Sequence, residues 1–128
     1  MSSYDLEIKD TTGKPSQWKR YFKKNGYKSI MKYPKHKLEI LGKGHVEVMV
    51  WDKYEEMPVQ FSTYSGRDEG KRKQVEADHA HAFAEEFKGK VYDPQTNEFL
   101  INCGPGNVWV PGFHRYDGTY VNGFCRKK

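Results

Sequence analysis

Hydrophobic and polar residues recur along this chain with two periods, near 2 and near 3.6, and the switches between them divide it into strands and helices. Residues 4–8, Tyr-Asp-Leu-Glu-Ile, alternate as a short strand, and Thr11-Thr12-Gly13 turns the chain. Pro15 suits the first position of a helix, where its missing N–H costs nothing. Trp18, Tyr21, Phe22 and Asn25 follow at helical spacing, and Gly26 is the residue type that ends a helix. This helix is aromatic beneath and basic above, with Lys19, Arg20, Lys23 and Lys24 on its other side. Residues 28–35 are ambiguous and broken by Pro34. Leu38 and Ile40 mark a strand over 36–41. Over 45–51, Val46, Val48 and Val50 form one strand face, and His45, Glu47, Met49 and Trp51 form the other. After an acidic loop, Val59, Phe61 and Thr63 make the inward face of the next strand.

The pattern predicts a longer helix over 67–87. At ~100° per residue, Val75, His79, Ala82, Phe83 and Phe87 share one stripe, with Glu86 falling among them and Asp78, His81 and Glu85 opposite. Gly89 stops this helix, Lys90 to Tyr92 form a strand, Asp93-Pro94-Gln95-Thr96 turns, and Glu98 to Ile101 return. Beyond Gly104-Pro105-Gly106, Tyr116-Asp117-Gly118-Thr119 places Asp-Gly at the centre of a tight hairpin, where both residues would take positive φ. This order reads as one α+β domain over 1–128. The expected architecture is a ferredoxin-like sandwich over 1–102, two helices on a mainly antiparallel sheet, with a C-terminal β-hairpin extension over 103–128.

Composition refines this picture. A chain of 128 residues is one domain in size, and 15% aromatic residues against 36% hydrophobic overall implies an aromatic-rich core. No apolar run approaches the ~20 residues of a membrane span, so no membrane partner is expected. The start, Met-Ser-Ser-Tyr, lacks a basic-then-apolar leader, so a cytoplasmic location is expected. In that setting Cys103 and Cys125 read as reduced thiols. Net charge runs +7 over 1–44, −5 over 45–109 and +3 over 110–128. Two basic ends suit an acidic partner, most simply a protein, with nucleic acid as the alternative.

Candidate chemistry is sparse. His79 and His81 would point ~200° apart on a helix and could not share an ion. Cys103, His114 and Cys125 have the right types for zinc, yet neither cysteine belongs to a Cys-x-x-Cys pair. His45, Glu47, His114 and Arg115 supply general acid/base groups and a cation, the set a metal-free nuclease would use. No cofactor is expected. The segment from His81 to Asp93-Pro94-Gln95-Thr96 resembles the His and Asp region of papain-like toxin domains, in which the nucleophilic Cys comes first; here no Cys precedes Cys103.

The run from Gly112 to Val121, with Arg115-Tyr116-Asp117-Gly118-Thr119-Tyr120-Val121, resembles a C-terminal hairpin element of bacterial and phage proteins. Pro15-Ser16-Gln17-Trp18 and Ala82-Phe83-Ala84-Glu85-Glu86-Phe87, leading through Gly89 to Asp93-Pro94-Gln95, are similar to small bacterial immunity proteins that neutralise polymorphic toxins. The resemblance implies a non-enzymatic binding module, an immunity protein or a phage anti-defence inhibitor. The surface expected to meet the partner is Lys19, Arg20, Lys23 and Lys24, with Arg115 and Tyr116 of the hairpin. The alternative reading is a small basic nuclease or RNA-binding protein.

Overall fold

A computed structural model describes residues 6–53, 56–63, 69–103, 106–110, 112–121 and 123–127. Strand β1 (Leu6–Lys9) leads to helix α1 (Pro15–Lys24). Strands β2 (Lys28–Tyr33), β3 (Leu38–Lys43), β4 (Val46–Trp51) and β5 (Val59–Thr63) follow, with a 3-10 turn at Pro34–His36. Helix α2 (Glu69–Phe87) then leads to β6 (Lys90–Asp93) and β7 (Glu98–Leu100). The result is an α+β structure with a seven-stranded antiparallel sheet in the order β2-β3-β4-β5-β1-β6-β7. A ferredoxin-like unit places two strands between its helices. Here four strands lie between them. The ambiguous stretch at 28–35 supplies the extra edge strand.

Alternation along the strands builds the core in rows. Leu41, Val48, Phe61 and Leu6 lie side by side, and Glu39, Val50, Val59, Ile8 and Val91 form the next row. All nine are buried. Helix α1 packs over β2 and β4, and α2 over β1, β5 and β6. Between them Phe22 stacks on Phe83 with ring centroids 5.1 Å apart and an interplanar angle of 6°. Trp18, Tyr21 and Phe87 meet Phe83 from the sides, while Tyr27 and Phe61 meet Phe22. The aromatic-rich core read from composition is this cluster.

The loop after β1 ties both helices. The Thr12 N–H and both the Thr11 and Thr12 hydroxyls donate to the Phe87 carbonyl at the end of α2. Trp18 Nε1 donates to the Thr12 carbonyl at 2.7 Å. Such bonds satisfy a helix-terminal carbonyl that would otherwise lack a partner.

The phase of α2 differs from its sequence reading. Glu76, Ala80, Phe83 and Ala84 are buried, whereas Val75 and Ala82 are exposed. The two alanines let the helix lie close to the sheet, and Val75, its one large aliphatic residue beyond 74, draws the apparent stripe about 100° off. The end of α2 also works differently. Lys88 takes the left-handed conformation, at φ 55°. Gly89 is required for another reason, since a Cβ there would sit 2.5 Å from Ile8 Cγ2. Gly89→Ala is expected to destabilise the protein by about 1–3 kcal/mol through overpacking, read as a lowered midpoint in thermal or urea unfolding.

Candidate functional site

Three surface features hold the residues with functional potential. The first is the face of α1. Lys19 lies 3.0 Å from Asp52 and 3.6 Å from Glu39, and Lys23 lies 3.8 Å from Glu39. Glu39 is buried at the end of a core row, and two lysines reach down from the helix above it. Two of the four cations expected to face a partner therefore compensate acids of the protein itself. Arg20 and Lys24, one helical turn apart, line a cleft of about 470 Å³ with Gln17, Tyr21, Asn25, Glu86 and Phe87.

The second feature is a smaller cleft, about 280 Å³, where Tyr27, Lys43, Asp78 and His79 meet beside Phe22. The Tyr27 hydroxyl is hydrogen-bonded to His79 Nδ1, so His79 is the core-edge histidine its helical position implied. Burial lowers its pKa, Lys43 lowers it further, and Asp78 opposes them. Burial also lowers the pKa of His81, which is half-buried and not the fully solvated residue expected on the outer face. Burial raises the pKa of Tyr27.

The third feature is the C-terminal arm, made of β8 (Asn107–Val110), β9 (Phe113–His114), β10 (Tyr120–Val121) and β11 (Phe124–Lys127). β8 pairs with β11 and β9 with β10, apart from the main sheet. Every partner pair in both ladders is symmetric about Asp117, so the two share one hairpin register. A Cβ on Gly112 would collide with the Tyr120 ring, and one on Gly123 with the Trp109 ring. Each glycine is thus covered by an aromatic ring from the opposite strand, a device that steadies a two-stranded ribbon. At the tip only Gly118 has positive φ, at 87°, and Asp117 does not. The Arg115 carbonyl accepts from the Gly118 N–H, and the Arg115 N–H donates to the Thr119 carbonyl. This is a longer turn than the two-residue Asp-Gly turn expected, with a left-handed glycine closing it. Asp117 accepts from the Thr119 N–H and hydroxyl, and these bonds hold its pKa below the usual carboxylate range.

Cys103 and Cys125 form a disulfide that joins the start of the arm to β11, correcting the reduced-thiol expectation. Their sulfurs are committed to each other, so the zinc set of Cys103, His114 and Cys125 does not form. No group of three metal-binding residues occurs among the described residues. The cysteines are 22 residues apart in sequence, which gave no pairing signal; Cys125 lies on β11 opposite Trp109, and Cys103 lies in the segment that precedes β8. The nuclease candidates are not assembled in one element. His45 lies at the β3–β4 turn and Glu47 on β4, while His114 and Arg115 belong to the arm. Asp93 has the turn role read for it, its carboxylate accepting from the Gln95 N–H at 2.9 Å.

No family model, no curated protein and no solved structure matches this chain. No helix among the described residues is long and apolar enough to cross a membrane.

Two measurements follow. Folded-state pKa values of His79 and His81 below their unfolded value favour the neutral rings. The contribution they make is present above about pH 6.5 and is lost as pH falls through the folded pKa values. Unfolding free energy should therefore fall between pH 7 and 5, and His79→Gln/His81→Gln should flatten that slope. Reduction, or Cys103→Ser, should remove about 3 kcal/mol of constraint from the arm, seen as faster amide exchange over 107–127 with the main sheet still protected.

Proposed function

We propose that this protein is a non-enzymatic binding module that neutralises or inhibits a macromolecular partner, as a bacterial immunity protein or phage anti-defence inhibitor does. The supporting observation is the C-terminal arm. It is tethered by a disulfide, carries Phe113, Tyr116, Tyr120 and Phe124 as exposed side chains, and sets Arg115 with Phe113 and Tyr116 at its tip. Phe113 to Asp117 line a concave surface at its tip. Tyrosine and arginine on a rigid support are the side chains that carry most binding energy at protein interfaces. Arg115, Arg126 and Lys127 give this arm a positive surplus over Asp117, which favours an acidic protein partner. Arg20 and Lys24 extend the same sign to the cleft beside α1.

The same exposed rings and cations also suit stacking on single-stranded RNA, so RNA binding is the second reading. A nuclease gains less support, because its candidate residues are divided between the main sheet and the arm.

The test compares wild type with Tyr116→Ala and with Arg115→Glu in capture from a bacterial lysate, followed by affinity measurement on the captured protein. Loss of a hot-spot side chain should weaken binding by about 2 kcal/mol or more, roughly thirtyfold. RNA cleavage should be absent with and without EDTA. Equal capture by wild type and both arm variants would remove the arm from the interface, and cleavage lost in His114→Ala would restore the nuclease.

A further inference from the structure

The positive charge of α1 continues into the edge of the main sheet. From Thr11 to Leu38 the chain has nine Lys or Arg and no Asp or Glu. Lys19 and Lys23 compensate Glu39 and Asp52. Lys28, Lys32, Lys35 and Lys37 run along β2 and the turn after it. β2 is an end strand of the sheet, hydrogen-bonded to β3. Its far side therefore presents backbone N–H and C=O groups to an incoming strand.

All six residues of β2 are exposed, and three of them are large and apolar: Ile30 at 52%, Met31 at 47% and Tyr33 at 39%. Lysines and the irregularity between Ser29 and Met31 are what a sheet edge uses to repel copies of itself. An antiparallel pair of two β2 strands centred on Ile30 would set Lys28 against Lys32 twice over, and like charges directly opposite are destabilising. Repulsion of that kind explains the lysines but not the apolar side chains between them. A strand of opposite charge uses both, and it gains the backbone bonds without the repulsion that this register imposes on a second copy.

We propose that β2 is a docking edge for an extended acidic segment of a protein partner, which adds to the sheet as a further strand. Its carboxylates face Lys28 and Lys32, and its apolar side chains cover Ile30, Met31 and Tyr33. Backbone bonds supply affinity in this mode, and alternate side chains supply specificity. The inference rests on the reading of an acidic protein partner and gives that partner a form.

The probe is a synthetic peptide copying residues 27–34 with glutamate in place of Lys28 and Lys32, titrated into the full chain by anisotropy. Saturable binding is expected, weakened about tenfold or more in Lys28→Glu/Lys32→Glu and unchanged in Tyr116→Ala. The unaltered lysine peptide should not bind, and bound peptide should slow amide exchange in β2. Circular dichroism checks that the surface variant is folded. No binding to wild type at roughly millimolar peptide, or equal binding to the charge-reversed variant, overturns the proposal. So does binding of a poly-uridine oligonucleotide at these lysines with none of the peptide. The cellular partner plays no part in the titration, so its failure removes the edge and leaves the arm's reading standing, and failed capture by the arm leaves the edge standing.

Discussion

The stacked pair Phe22–Phe83 is the contact on which the rest of the structure depends. Phe22 comes from α1 and Phe83 from α2, and each ring touches three further aromatic rings from the surrounding elements. The hydrophobic fraction of the chain is modest, so large rings must supply much of the buried area. Their placement between the helices holds α1 and α2 side by side on one face of the sheet. Everything attached to those helices takes its position from that stack, including the cleft lined by Arg20 and Lys24, the Tyr27–His79 pair, and the Phe87 carbonyl that anchors the β1–α1 loop.

A second constraint shapes the surface. Glu39 occupies a position in an otherwise apolar row and is answered by Lys19 and Lys23. A buried carboxylate with its partner removed is costly, so these lysines are tied to the fold. Folding thereby divides a uniformly basic segment into cations that serve the structure and cations left exposed at the surface, at Arg20, Lys24 and along β2. The C-terminal arm adds a surface of another kind, on which the rings of Phe113, Tyr116, Tyr120 and Phe124 are exposed.

Much of the architecture was legible from pattern and turn chemistry. The extents of α1, β4, β5 and β6 follow from alternation, from Pro15, and from the glycine and aspartate turns. The phase of α2 was not, because a stripe built from Ala80, Ala84 and Glu76 carries little hydrophobic signal. Nor was β2, whose six exposed residues have no buried face to produce alternation. At the candidate site, the basic residues and the aromatic tip of the arm could be named from sequence. The partnership of Lys19 and Lys23 with acids 16 or more residues away could not.

The sequence by itself determined the local elements, the aromatic character of the core and the sign of the charge at each end. These depend on neighbouring residues and on composition. Tertiary structure alone decided the strand order, the joining of Cys103 to Cys125, the meeting of Tyr27 with His79, and which lysines remain available to a partner. The strand order, the Tyr27–His79 pair and the sorting of the lysines depend on the register between segments distant in the chain, set by the packing of the main sheet against its helices; the disulfide depends instead on the separate β8–β11 ribbon that carries Cys125.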